Sequence, residues 1–314
     1  MRILSGMLLY CLVGGAVSAE YAPSTVEMTL QRVSDHVYYV QGAAGVATDN
    51  EGFISNAAAV VTPEGIVVID ALGSPSLAQK FLSLIRTVSP LPVVKLILTH
   101  YHADHIYGIQ VFKDLGAEVV APAGYREYLD SEYAKDRLEE RRFSLSPWVN
   151  EETRLVAPDV VIDHDAGFEL GGVRFEMSYF GEAHSDGDLA VRISPDRVLV
   201  SGDIIFEGRV PFTGSADTGH WLDVLERLNA VDLAALIPGH GPAATDPNGA
   251  IQRTLDYLAY LRETMAAAVE EMIPFDEAFQ AADWSRFEKL HAFEAAHRRN
   301  AYGVYLSLEA EQFQ

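Results

Sequence analysis

The chain is short of cysteine, of basic residues and of long apolar runs. Its single cysteine, Cys11, among 314 residues excludes an internal disulfide, a CxxC redox pair and a thiolate-built zinc site. Lysine and arginine number 23 against 45 acidic residues, a formal net charge of −22. Nucleic acid and anionic membrane surfaces would be repelled by that excess, so neither is expected as a partner. The longest N-terminal apolar run is too short to span a bilayer, and no GxSxG nucleophile elbow is present. Nor does any repeat, low-complexity tract or long linker divide the chain. What remains is 49% hydrophobic and 22% charged, the composition of a globular protein rather than of a disordered or collagen-like one.

Residues 1–19 account for the cysteine. Arg2 precedes the apolar run Met7 to Val13, which contains Cys11, and small residues lead through Val17-Ser18-Ala19 to Glu20. This is the layout of a secretory signal peptide cut after Ala19. Cys11 lacks the small residues that precede a lipidated cysteine. The expectation is a periplasmic or secreted protein, free of cysteine and of membrane attachment after cleavage, and reliant on core packing for stability.

The body alternates β-rich runs with helical stretches. Val37–Val40, Ala57–Val61 and Gly65–Asp70 read as strands, the last two separated by the turn Thr62-Pro63-Glu64-Gly65. Ser76–Val88 has helical spacing, with Leu77, Phe81, Leu84 and Ile85 on one face. Val93–Thr99 is apolar enough for a strand covered on both faces. Ile106–Leu115 reads as helix and Glu118–Ala121 as strand. Gly124–Arg142 is a charged helical insertion, read as a solvated surface element. A second β-rich series follows at Val160–Asp163, Phe168–Leu170, Val173–Tyr179, Leu189–Ile193 and Val198–Val200. Beyond His220 the pattern is helical except for a strand at Ala234–Pro238. Such alternation, twice over, predicts layered sheets and helices: one catalytic domain over 20–248 and a helical C-terminal extension over 249–314.

Chemistry-bearing residues gather where strands end. Thr99-His100-Tyr101-His102-Ala103-Asp104-His105 puts three imidazoles and a carboxylate directly after an apolar strand. Burying such groups in a turn is costly unless something satisfies them, and a divalent metal does so. His100 and His102, two apart in an extended segment, project to the same side and can grip one ion. Asp104 and His105, where the chain turns into a helix, point to a second ion beside it. His184, Asp203 and His240, each read at the end of a strand, can complete two ligand shells.

With these residues in order, the sequence closely resembles the metallo-β-lactamase superfamily of metallohydrolases over roughly residues 30–245, through its HxHxDH motif. The resemblance implies an α+β fold, a four-layer αβ/βα sandwich with the metals at one edge of two facing sheets. It implies His100, His102 and His184 on one ion, Asp104, His105 and His240 on the other, and Asp203 bridging them. Two divalent ions are expected, zinc first, with iron or manganese tolerated by the same donors. Histidine at position 102 disfavours the flavodiiron branch, which has glutamate there. Aspartate at position 203, where classical β-lactamases place cysteine or serine, is similar to the glyoxalase-II-like pattern. The segments Glu182–Asp188 and Gly202–Arg209 resemble exported SoxH-related metallohydrolases.

The implied function is hydrolysis of a small ester, thioester or lactone-like molecule by a metal-bridging hydroxide, whose pKa two ions lower from about 16 toward 7. Asp104 is the catalytic residue, a ligand that also orients the water. Alternatives are a β-lactam hydrolase, a mononuclear-iron persulfide dioxygenase and a non-catalytic periplasmic metal-binding module. Asp70 is expected either to support a ligand histidine, as family resemblance implies, or to cap a helix or turn before Gly73-Ser74-Pro75. Asp188 is expected to support the His184 loop or a turn. His220 and Trp221, after the loop Pro211–Gly219, are expected to touch substrate. His36, His164, His220, His291 and His297 lack ligand spacing and read as surface or capping residues, substrate contact being the alternative for His220. Arg298 and Arg299 read as surface salt-bridge partners; oligomeric state and substrate identity are not encoded in any recognisable motif.

Overall fold

The structure, a computed structural model, describes residues 21–229 and 231–312. The signal peptide expected at 1–19 lies outside the described residues. Seven strands form one sheet: β1 (Leu30–Arg32), β2 (Val37–Val40), β3 (Ala57–Thr62), β4 (Gly65–Ile69), β5 (Val93–Ile97), β6 (Glu118–Pro122) and β7 (Val160–Ile162), in that spatial order. The first four pair antiparallel through β3–β4, and β4 to β7 run parallel. The second sheet has five strands in the order β12-β11-β10-β9-β8, from β8 (Ala166–Leu170), β9 (Val173–Gly181), β10 (Asp188–Ser194), β11 (Val198–Phe206) and β12 (Ala235–His240).

Period-two alternation sorts side chains between layers. On β3 and β4, Ala58, Val60, Val67 and Ile69 point between the sheets, where they meet Phe175, Met177, Val191, Val200 and Ile237. Their neighbours Ala57, Ala59, Ile66 and Val68 point outward under helices. The outer layer of the first sheet is α1 (Pro75–Val88), the short α2 (Ala103–Ile106) and α3 (Ile109–Lys113), then α4 (Ala123–Asp130) and α5 (Glu132–Ser144). The second sheet is covered by α6 (Thr218–Leu228), α7 (Pro247–Glu270), α8 (Phe275–Ala281) and α9 (Phe293–Gln312). The result is the expected αβ/βα sandwich with C-terminal helices.

Local chemistry sets the element ends. Ser74 caps α1 by accepting from the Leu77 amide, and Pro75 sits in the first turn, where its missing N–H costs nothing. Leu77, Phe81 and Ile85 are fully buried beneath it. Strand β11 runs six residues beyond the expected Val200: its register against parallel β12 shifts around Gly202, at φ +53°. The strand thereby continues through Asp203 instead of stopping before it. The expected helix at Ile106–Leu115 is two short helices broken at Gly108. The expected domain boundary at 248/249 falls inside the first turn of α7. Among the described residues no helix is long and apolar enough to cross a membrane.

Candidate metal centre

The carboxyl ends of β5 and β11, the end of β12 and the loop between β9 and β10 meet at one edge of the sandwich. They bring together all seven residues singled out by the sequence. His100, His102, His184 and Asp203 form one group, and Asp104, His105 and His240 another, each with its donor atoms within 4.8 Å of one another. Asp203 links the two: its Oδ2 lies 3.3 Å from the Nε2 of both His184 and His240, and its Oδ1 lies 3.2 Å from His105 Nε2. Asp104 Oδ2 is 3.3 Å from His240 Nε2.

These residues fit divalent ions. The Nε2 atoms of His100 and His105 and the Oδ1 of Asp203 are buried and have no hydrogen-bond partner. Buried polar atoms are rarely left so, and nitrogen and carboxylate donors facing a common point are the donor set of a zinc-type site. Electrostatics agree. Burial, reinforced by neighbouring His105, holds His100 well below its ordinary range, and burial pushes His184 down to about 3. Both imidazoles therefore stay neutral, the form in which histidine binds a metal. Burial also opposes charge on His105 and His240, yet Asp203 and the carboxylates around it outweigh that and raise both. A cluster that draws protons onto two imidazoles has carboxylates that call for cations.

The opposite ring nitrogens of His100, His105 and His240 are tied down, whereas the Nδ1 of His184 is buried without a partner. Asp70 lies just past β4 at φ +63°. Its Oδ1 accepts from the Thr99 amide at 2.8 Å, while Oδ2 accepts from the Thr99 hydroxyl at 2.8 Å and from His105 Nδ1 at 2.9 Å. The same Thr99 oxygen sits 3.0 Å from His100 Nδ1. One carboxylate thus fixes His105 directly and His100 through Thr99, turning both Nε2 atoms toward the centre. Asp70 caps no helix; that part is taken by Ser74. His240 Nδ1 donates to the Ile54 carbonyl at 2.7 Å. Close approach requires glycine at two neighbours: a Cβ on Gly239 would lie 1.9 Å from Asp203 Oδ1, and one on Gly202 2.4 Å from Thr99 Oγ1. Asp188 makes no hydrogen bond to His184 and acts on its neighbour. It accepts from the Ser185 amide at 2.7 Å and hydroxyl at 2.9 Å, holding the turn that follows the histidine, and burial pushes its carboxyl up to about 8.

A cleft of about 310 Å³ opens onto His102, Asp104, Asp203 and His240. Its walls and their surroundings correct several expectations. Trp221 is fully buried, donating its indole N–H to the Ile204 carbonyl at 3.0 Å and packing edge-on against the His184 ring; it supports the ligand from behind. His220 bonds the Glu182 carbonyl at 2.7 Å and is also away from the cleft walls. The insertion over 124–142 is not merely solvated, because Tyr128, Tyr133, Arg137 and Arg141 line the cleft. Arg298 does pair at the surface with Asp276, but Arg299 lines the cleft over the Phe212 ring, 4.8 Å from its centroid. His297, expected at the surface, is buried among Phe293, Trp284 and Phe279. Sequence reasoning missed Thr99, Arg209 and the α5 arginines. Of these only Thr99 had a signal, its place beside His100.

Comparison with known proteins agrees with this geometry. The chain is 24% identical over 253 residues to the metallo-beta-lactamase type 2 of Elizabethkingia meningoseptica, covering 79% of this chain and 92% of that one. It is 21% identical to a linear primary-alkylsulfatase of Pseudomonas sp., of which it covers 48%. Among solved structures, a sec-alkylsulfatase from Pseudomonas sp. superposes with a TM-score of 0.71 at 19% identity over 89% of this chain, which spans 50% of that chain. A metallo-beta-lactamase from Pontibacter korlensis gives 0.58 at 22% identity, over 74% of this chain and 99% of that one. The family model of the metallo-beta-lactamase superfamily matches residues 50–240, more than half of the sequence and every candidate ligand. The chain belongs to the metallo-beta-lactamase superfamily, as a metallohydrolase.

Proposed function

We propose that the protein is a dinuclear metallohydrolase that cleaves a small ester, thioester or lactone-like substrate. The observation that supports this most is the pair of ligand groups sharing Asp203, with buried imidazole nitrogens that no protein group satisfies. His100, His102 and His184 would hold one ion, Asp104, His105 and His240 the other, and Asp203 would span both. Two divalent ions there would supply Lewis acidity toward a carbonyl oxygen and an activated water near neutral pH. Asp104, whose carboxyl is held far below its usual range by His105 and His240 despite burial, stays ionised and would orient that water. Asp70 and Thr99 keep the imidazoles aimed, and Phe206 and Phe212 shield the cleft on its apolar side.

Aspartate at position 203 supports placement with the glyoxalase-II-like, SoxH-related members, and residues 1–19 support export to the periplasm or beyond. A second reading, β-lactam hydrolysis, is favoured by the similarity to the Elizabethkingia meningoseptica enzyme and opposed by Asp203, where classical β-lactamases carry cysteine or serine. Metal analysis of the purified protein is expected to give about two ions per chain, with zinc leading. His102→Ala is expected to lower thioester or lactone turnover roughly 100-fold, as loss of a metal ligand should. Fewer than one ion per chain, or full activity in that variant, overturns the proposal. Nitrocefin, run beside the thioester and lactone panel, decides the second reading.

A further inference from the structure

We propose that the cleft selects a substrate bearing an oxyanion group, held by Arg137, Arg141 and Arg299 on the walls beyond the metal ligands. This names the substrate class for the hydrolase described above and rests on that reading. The chain carries twice as many acidic as basic residues, yet the cleft reverses the ratio. Four guanidinium groups line it, counting Arg209, against only Asp104 and Asp203, whose carboxylates face the histidines.

The local shortage of counter-charge is specific. Glu140 is shared between two of the arginines, 3.2 Å from Arg137 and 3.5 Å from Arg141. No carboxylate pairs with Arg299 or Arg209 among the described residues. Arg209 stands at the metal end, its Nη1 3.3 Å from His240 Nδ1 and its buried Nε without a partner. Gathering guanidinium groups without enough carboxylates is unfavourable until an anion joins them. A planar guanidinium matches the paired oxygens of a carboxylate, sulfate or phosphate, where a lysine would offer only a point charge.

The walls also say what the rest of the ligand is. Tyr101 and Tyr128 stack at 4.7 Å beside the arginines, and Phe212 lies under Arg299. These flat apolar surfaces suit an organic body attached to the anion, and a volume of about 310 Å³ limits it to a small molecule. The site draws on both outer layers of the sandwich, since Arg137 and Arg141 come from α5 and Arg299 from α9. Arg299 lies outside the residues that the family model matches, and none of the three arginines belongs to the candidate metal groups.

Isothermal titration of the zinc-loaded protein with phenylacetate, phenyl sulfate, phenyl phosphate and phenylacetamide tests the proposal. At least one anion is expected to bind about tenfold or more tightly than the neutral amide, and the best of the three identifies the oxyanion. In Arg137→Gln/Arg141→Gln/Arg299→Gln that preference is expected to fall to within about threefold. Arg299→Gln alone changes an exposed side chain, cannot be blamed on misfolding, and must itself lower the preference. No binding by any anion, equal binding by the amide, or a preference that survives the triple variant overturns the proposal. In the last case the retained metal ions are what bind the anion. Anion preference without turnover of any ester refutes the hydrolase reading and leaves the selectivity standing; ester turnover without anion preference does the reverse.

Discussion

Asp70 is the side chain on which the geometry of the centre depends most. It bonds to no candidate ion, yet it receives His105 directly and His100 by way of Thr99. Asp70→Asn would replace one of its acceptor oxygens with a donor, leaving either Thr99 or His105 facing the wrong partner. Zinc affinity is therefore expected to fall about 10- to 100-fold with the fold retained, as for other supporting carboxylates. Competition against a chelating dye, with circular dichroism as control, measures this; unchanged affinity would show that the histidines orient themselves. The cluster of candidate metal residues was readable from sequence because metal chemistry restricts residue type so sharply: imidazoles and carboxylates at strand ends have few other uses. Thr99 was not readable, since its part depends on a hydrogen bond between adjacent strands. Trp221 was misread for a related reason. An aromatic beside a loop looks the same in sequence whether it faces a cleft or the back of a ligand.

At the level of elements, α5 and α9 departed most from expectation. The α5 sequence is charged nearly all round, the pattern of a solvated helix, and only packing reveals which arginines face the cleft. Strand periodicity was far easier to read, because burial on one face imposes a strict alternation. On α9, His297 is buried against aromatic rings with its Nδ1 3.0 Å from the Tyr257 hydroxyl, and burial pushes it down to about 4. A histidine depressed in the folded state, with an ordinary value near 6.5 when unfolded, stabilises the fold above that value. The contribution is lost as pH falls from about 6.5 to about 4. His297→Phe keeps the ring and removes the titration. Its melting temperature is expected to drop less than the wild type's between pH 7 and pH 4.5, and an equal drop in both would sink the assignment.

For the molecule as a whole, the candidate metal residues divide between its halves. His100, His102, Asp104 and His105 follow the first sheet, while His184, Asp203 and His240 belong to the second. Ions held between them would tie the two together. At free zinc about a thousandfold above its dissociation constant, linkage contributes roughly 4 kcal/mol for each ion, each equivalent to a rise of about 5–10 °C in melting temperature for a chain of this size. Melts after exhaustive chelation and after zinc return are expected to differ by that amount per bound ion; coincident melts would mean the ions are not held by the folded state alone. Layer architecture was legible from the alternation of strands and helices. The cleft was not, because it exists only where distant elements meet. The same division sets an order of assembly during synthesis. A nascent chain that has emerged only through β7 carries four of the seven ligands and two of the four cleft arginines. The candidate donor set is complete only with residue 240 and the cleft wall only with residue 299, so the side chain proposed to select substrate is made well after the last donor.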